Sequence, residues 1–445
     1  MSFSALLFFI SAIGSGYSPT FSQLIAYRLV GGIGMGMAST VSPMYIAEIS
    51  PAALRGRMVS LNQLNFVVGI SVAFFSNYLI LKLGQSQADW AVALRLEEWN
   101  WRWMLGLETA PAVLYFLCLY LVPESPRWLI MQGRRDEAMT VMSRVSNPVQ
   151  ASEDIDAISA SLAAVGNRQT QQQPLAALFS KPMRLVLSIG LTVAILQQIT
   201  GINSVFFYAP MIFEQSGIGT DASFMQAVLV GLTNLLFTVF AIALIDRIGR
   251  KPLLIFGVAG IALCMMLLAW GFNAATYSLS EEAINGLPAA IDRALLHPLL
   301  NMTFASDISF TQAMSNSLGA AVFQEFEAEL VSAAITINPS LILIGILGFV
   351  ACFAISIGPV MWVLFSELFP NRIRGLAISF VGLVNSGVSF TVQLLFPWQL
   401  ANLGNAATFF IYGVFAIIGL LLIARLLPET RGKSLEELER QLVTT

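Results

Sequence analysis

Charge is what this sequence has least of. Asp, Glu, Lys and Arg together make up 11% of its 445 residues, against 56% hydrophobic residues and a mean hydropathy of +0.75. A soluble domain carries about 25% charged residues to stay solvated, so a water-facing globular surface is excluded and most of this surface must meet lipid. Histidine is nearly absent as well, and the one copy, His297, falls in a loop where a surface role suffices. The three cysteines, Cys118, Cys264 and Cys352, lie inside apolar runs without metal or redox spacing. They read as small core residues. No metal ligands, no cofactor and no catalytic residues are predicted: a nucleophile with its base and paired catalytic carboxylates inside the spans are also lacking, which excludes a membrane enzyme.

Long apolar runs are abundant. Ten recur, near residues 3–16, 21–47, 58–82, 103–122, 184–213, 225–246, 252–275, 340–368, 376–398 and 407–427. Each approaches the roughly 20 helical residues that cross a hydrocarbon core of about 30 Å. They are continuously apolar instead of alternating, so a barrel is excluded and the expected class is an all-α membrane protein. The loops at 48–57, 123–183, 247–251 and 369–375, with the tail after 427 and the helix-end Arg184 and Arg425, hold 18 of the 23 basic residues. Cytoplasmic loops retain positive charge, which predicts a multi-pass cell (inner or plasma) membrane protein with both termini cytoplasmic. The net charge of −3 implies no partner, and nucleic acid is not indicated.

An internal repeat divides the chain. Glu48 to Gly56 reads EISPAALRG and Glu367 to Gly375 reads ELFPNRIRG, two copies of one inner-loop motif after a long helix. Each is followed two helices later by Pro-Glu, at Pro123-Glu124 and Pro428-Glu429. Four helices precede the second copy and two precede the first, so by symmetry two leading helices of a six-plus-six arrangement are expected to be missing. The predicted organisation is a four-helix bundle over 1–122 and a linker with short amphipathic helices over 123–183. A six-helix bundle over 184–427 and a cytoplasmic tail over 428–445 follow. Within the second bundle, 276–339 is an insertion on the outer side, read either as a tolerated loop expansion or as a lid or partner-docking element.

Polar side chains inside spans are costly and need a reason. The densest group is Gln197-Gln198-Ile-Thr-Gly-Ile-Asn203, in the middle of an apolar run, with Gly201 allowing the backbone to open. Carboxamides both donate and accept, which suits the vicinal hydroxyls of a neutral ligand. Gln63, Asn234 and Asn385 add amides in three other spans, and Trp362 follows the helix-breaking Gly358-Pro359, offering an indole face for a sugar ring. The competing reading is that these amides hydrogen-bond helix to helix, contributing about 1 kcal/mol each. In the inner loops, Glu48 with Arg55, Glu367 with Arg374, Glu124 with Arg127, and Asp246 with Arg247 and Arg250 form a pattern present in both halves. Such pairs can latch one state of a rocking bundle or simply set topology. Arg28 and Glu108, within or at the edge of spans, are expected to be paired or water-exposed.

These motifs resemble those of the sugar porter family of the major facilitator superfamily, including bacterial xylose and galactose proton symporters and glucose facilitators. The residues that carry the resemblance are Arg28-Leu-Val-Gly-Gly-Ile-Gly-Met-Gly36, Pro43 to Glu48, Arg55-Gly-Arg57, Pro123 to Arg127, Gln197 to Asn203, Asp246 to Arg250, Gly358 to Trp362 and Pro428 to Gly432. The resemblance implies ten of the usual twelve helices in two pseudo-symmetric halves, with a monosaccharide, hexose or pentose, held between them and moved by alternating access. It implies sugar contacts at Gln63, Gln197, Gln198, Asn203, Phe207, Tyr208, Asn234, Trp362 and Asn385. Phe207 stands where the family often has Tyr, and Ser386 where many members have Trp. Arg28 resembles the partner of a proton-carrying acid that the family places in its first helix, outside this chain, so facilitative and proton-coupled transport both stay open. The expected partners are a sugar, with a proton in the coupled case, and the lipid bilayer around a monomer. The alternatives are a transport-inactive sugar sensor or receptor and a carrier for a polyol.

Overall fold

In the computed structural model, the residues described are 1–50, 55–86, 88–145, 178–217, 220–288, 290–369 and 373–429, with scattered positions between 147 and 159. The Gln-rich stretch of the linker and the residues after 429 lie outside them. The chain divides into two compact units, Met1–Gly69 with Ser76–Gln172, and Ile70–Phe75 with Gln173–Thr445.

The first unit holds α1 (Ser2–Tyr17), α2 (Phe21–Ile49), most of α3 (Arg55–Gly84) and α4 (Thr109–Leu119). Thr20 caps α2 by accepting from the Gln23 amide, which marks the helix start. The α2 surface is apolar yet open, with Leu29, Ile33 and Met44 among its exposed side chains. Lipid is the solvent that tolerates such a helix. The run expected to span 103–122 is instead two helices, Asn100–Gly106 and α4, separated at Leu107 and Glu108. The linker forms the short helices Pro126–Met131 and Arg135–Ser143, held by Leu129, Ala138, Met142 and Ile155.

The second unit contains α5 (Arg184–Ile199), α6 (Ile202–Glu214), α7 (Thr220–Ile248) and α8 (Arg250–Asn273). A small insertion follows: β1 (Thr276–Ser278), β2 (Thr303–Phe304), α9 (Asp307–Leu318), α10 (Glu327–Ala334) and β3 (Ile335–Thr336). Beyond it run α11 (Pro339–Ile355), α12 (Ile357–Leu368) and the 53-residue α13 (Arg374–Leu426). At 1.5 Å per residue α13 reaches about 80 Å, more than twice a hydrocarbon core. Gly404, at φ 80 and ψ 169, bends it between the two expected spans 376–398 and 407–427. Seven described helices are long and apolar enough to cross a membrane, this double-length one included. The bundle core is built from Val193, Ile212, Phe213, Val258, Phe349, Phe365, Phe409 and their neighbours.

The insertion is a folded element with its own core, not an extended loop. Its sheet has order β2-β1-β3, antiparallel throughout, with Tyr277 opposite both Phe304 and Ile335. Tyr277, Leu296, Phe310, Met314 and Leu330 are at most 2% exposed and pack together.

Candidate functional site

The helix break that opens the site is written at Gly201. Its φ of +86 is in the left-handed region, which ends α5 and restarts the chain as α6. A Cβ there would stand 2.7 Å from the Tyr412 ring, so only glycine fits. A second irregularity follows at Tyr208 (φ −112, ψ 15), two residues before Pro210, which has no amide proton for the helix ladder. The break brings the amides on either side of it onto the face of α13.

There they form one network. Asn385 donates from Nδ2 to the Ala194 carbonyl and to Gln197 Oε1, both at 2.9 Å, and accepts at Oδ1 from Gln198 Nε2 at 3.0 Å. Asn203 donates from Nδ2 to Gln198 Oε1 and to Ser389 Oγ, both at 2.8 Å, and Gln393 Nε2 donates to the same hydroxyl at 2.8 Å. Gln197, Gln198 and Asn385 are each 7% exposed. The network borders a cavity of about 550 Å³ lined by Gln198, Asn203, Tyr208, Asn385, Ser386, Ser389, Phe390, Gln393 and Leu394. Among the described residues nothing donates to Asn203 Oδ1 or Gln393 Oε1, so acceptors remain for a ligand beside the half-buried Ser389 hydroxyl.

The predicted site residues divide accordingly. Gln198, Asn203, Tyr208 and Asn385 meet at the cavity, and Gln197 joins from behind through Asn385. Phe207 is 66% exposed and Trp362 is 45% exposed, its ring edge-on to Phe365 at 6.0 Å, and neither lines this cavity. Asn234 is 4% exposed on α7, also away from the lining. The Gln63 side chain lies outside the described residues. Ser389, Phe390, Gln393 and Leu394 were missed, although a signal existed: they follow Asn385 and Ser386 at four-residue steps, one face of one helix.

The charged loop residues pair differently from their sequence spacing. Glu367 Oε1 takes Arg250 Nη2 at 2.8 Å, with side chains 20% and 12% exposed. Arg374 turns its Nε–H to the Phe369 carbonyl at 3.1 Å in place of the expected pairing with Glu367. Glu429 adds to the cluster by accepting from the backbone amides of Arg250 and Lys251, both at 3.1 Å. The start of α8 is therefore neutralised from two other segments of the same unit, at a helix N-terminus where carboxylates are favoured. Arg247 is exposed, and Asp246 and Arg55 have side chains outside the described residues. In the first unit, Glu48 accepts from the Ser125 hydroxyl, while Glu124 and Arg127 are exposed and form no ion pair with each other. Arg28 does find a partner: Nη1 contacts both Glu108 oxygens, at 2.9 and 3.1 Å, with both side chains about half exposed.

The sequence profile of the sugar (and other) transporter family matches residues 1–292 and 310–442. An arabinose-proton symporter of Bacillus subtilis is 33% identical over 437 residues, covering 98% of this chain and 79% of the relative. A D-xylose-proton symporter of Escherichia coli K12 is 34% identical over 464 residues, covering 98% and 78%. The solved inward-open structure of the xylose transporter from E. coli superposes with a TM-score of 0.70 at 30% identity, over 99% of this chain and 82% of its own. The profile reaches through both units and takes in the broken α5–α6 pair with its amide network: the chain belongs to the sugar (and other) transporter family and has the all-α fold of the major facilitator superfamily.

Proposed function

We propose that the chain carries a monosaccharide, a pentose or a hexose, across the membrane by alternating access, with the α5–α6–α13 cavity as its sugar site and a proton as the coupled ion. The observation that carries this reading is the amide network of Gln198, Asn203 and Asn385 around a cavity of about 550 Å³, a size within the roughly 300–1,000 Å³ of small-molecule sites. Neutral donors and acceptors suit sugar hydroxyls, and the cavity lining holds no charge that would select an ion. Both relatives named above are sugar–proton symporters by name, which supports pentose transport and proton coupling. The charge cluster Arg250–Glu367–Glu429 would sit on the cytoplasmic side, as would both termini, by the distribution of basic residues. Arg247 and Arg374 in the second unit, and Glu48, Glu124 and Arg127 in the first, are the further gate residues of this reading, reorganising as the carrier changes state.

Reconstitution in liposomes tests the proposal. Labelled D-xylose, L-arabinose and D-glucose are offered with and without an inward-directed proton gradient. Saturable uptake of at least one, accelerated by the gradient, is expected. Saturable uptake indifferent to the gradient and to its collapse by an ionophore refutes the coupling, and absence of both uptake and sugar binding refutes the assignment of the cavity.

A further inference from the structure

A second cavity, of about 270 Å³, lies where the insertion meets the ends of α6 and the bend of α13. Part of the insertion, residues 293–309, lies outside the segments that the transporter family profile matches, and Asp307 of this cavity is among them. The bend at Gly404 exposes the N-terminus of the last stretch of α13, and Asp307 caps it. Its Oδ2 accepts from the Asn405 backbone amide at 2.7 Å and from Asn405 Nδ2 at 3.0 Å, while Oδ1 accepts from the Ile308 amide at 2.9 Å. This is the arrangement that an unsatisfied helix start demands.

The cap has a consequence for Asn405. Because its Nδ2 is committed to Asp307, its orientation is set and its Oδ1 is left over. Asn405 is 4% exposed, and that oxygen is buried without a partner. Gln215, just past the end of α6 and on the wall of the same cavity, likewise has a buried Oε1 without a partner. An unsatisfied buried carbonyl costs about 1–3 kcal/mol, and both of these residues line the one cavity. Glu327, at the start of α10, contributes a second carboxyl group to the lining, and burial pushes its titration up. No Lys, Arg or His is among the lining residues. Of the insertion's two basic residues, Arg293 is spent on the Leu287 carbonyl at 2.7 Å, and His297 is not in the wall.

The wall thus gathers two carboxyl groups and two unpartnered buried carboxamide oxygens with no cationic side chain among its lining residues, which suits a positive ligand. A sugar is disfavoured because the aromatic rings of the wall are consumed by the insertion's own core: Tyr277 and Phe310 stack on each other at 5.4 Å and are 2% and 0% exposed. Zinc-type ligation is disfavoured too, since among the described residues no three of His, Cys, Asp and Glu converge. Two carboxylates with neutral amide oxygens, and room for water, is a donor set that calcium accepts. We propose that this cavity is a binding site for a divalent cation of the calcium class, held by the carboxylates of Asp307 and Glu327 and the amide oxygens of Gln215 and Asn405. The ion ties the insertion to α6, a junction already made by Ser332 donating to the Gly217 carbonyl at 3.0 Å.

The test uses the full chain in nanodiscs after chelation. Calcium binding is followed by titration calorimetry and by thermal unfolding, with magnesium chloride and ionic-strength-matched sodium and choline chlorides alongside. Glu327→Gln and Gln215→Leu are the variants, since Asp307 also caps a helix and its loss would confound folding with binding. Saturable binding near one calcium per chain is expected, weakened at least tenfold by Glu327→Gln and weakened also by Gln215→Leu. Metal-free Glu327→Gln should melt no lower than the parent at neutral pH, which separates lost binding from misfolding. The proposal is overturned by no saturable calcium binding to the parent up to roughly 10 mM, well above the 10⁻⁴–10⁻³ M of extracellular calcium modules. Equal calcium affinity in Glu327→Gln overturns it as well, as does an equal melting shift from sodium or choline.

Discussion

Asn385 is the hub on which the sugar cavity depends, and its truncation gives the sharpest test. Asn385→Ala removes three hydrogen bonds to N and O partners, those to the Ala194 carbonyl and Gln197 Oε1 and the one from Gln198 Nε2, together with a weaker one to Met361 Sδ at 3.8 Å. At about 0.5–1.5 kcal/mol net per neutral bond, the fold loses about 2–4 kcal/mol. The effect on ligand binding is separable and comes through Gln198. Once Asn385 is gone, Gln198 Nε2 keeps only the 3.3 Å contact to Gln197 Oε1, and Asn203, which donates to Gln198 Oε1, loses a fixed acceptor. Two side chains that were immobilised in the free protein must then be ordered by the sugar, at about 0.5–1.5 kcal/mol each. Sugar affinity should fall about 5- to 150-fold. Calorimetry in detergent or nanodiscs reads the affinity, and thermal unfolding of the same sample reads the fold. Ser389→Ala serves as the companion, because it removes an acceptor of Asn203 but leaves Gln198 anchored, and should cost less. If Asn385→Ala binds sugar as the parent does while its melting temperature drops, the amides serve only helix packing and the site assignment fails.

Three further outcomes follow from the same structure. Gly201→Ala forces a Cβ into left-handed backbone and to 2.7 Å from the Tyr412 ring, so it should lose at least about 1–2 kcal/mol from backbone strain alone; an unchanged melting temperature would refute the break as described. Arg250→Ala removes an ion pair whose side chains are 12% and 20% exposed and should destabilise by more than the roughly 0–1 kcal/mol of a surface pair, a difference that unfolding of Arg250→Ala against the exposed-site control Arg247→Ala resolves. Glu327 titrates above the usual carboxylate value because burial disfavours its charge. Its stabilising contribution is therefore complete below the unfolded value of about 4.3 and is lost as pH rises through the higher folded value. The metal-free chain should accordingly lose stability as pH rises across that window and level off above it, and Glu327→Gln should flatten the slope.

What was legible in the sequence is what apolar length and isolated polarity report. The span 184–213 could be marked as functional because Gln197, Gln198 and Asn203 are expensive in lipid, and Gly201 in their midst had few other uses. Which of the remaining amides would join them was not legible. Asn385 and Asn234 look equivalent as single amides in apolar runs, and only the packing of α13 against α5 brings one into the network while the other stays elsewhere. Sequence proximity also misled the charge pairing. Glu367 and Arg374 are seven residues apart in one loop motif, yet Glu367 meets Arg250, 117 positions away, because the start of α8 presents both backbone amides and a guanidinium to that end of the bundle. Arg28 and Glu108 were each recognised as costly, but their union across 80 positions required the packing of the first unit.

The two cavities follow one rule with opposite outcomes. A polar group placed in an apolar helix must find a partner, and a carboxamide offers two ends that can be satisfied separately. Around Gln198 and Asn203 the protein spends donors on acceptors within the network, leaving oxygens beside a serine hydroxyl, a mixed set that matches a neutral polyhydroxylated ligand. Around Asn405 the side-chain amide goes to the Asp307 carboxylate, so Asn405 has only its oxygen left, in a wall with a second carboxyl group and the unpartnered Gln215 oxygen, a set that suits a cation better than a neutral sugar. Ligand class is thus decided less by which residues line a cavity than by which of their ends the fold has already used. Both cavities draw on α6, through Asn203 and Tyr208 in one and Gln215 in the other, and the irregular turn at Tyr208–Pro210 between them is where a displacement of one end need not be passed rigidly to the other.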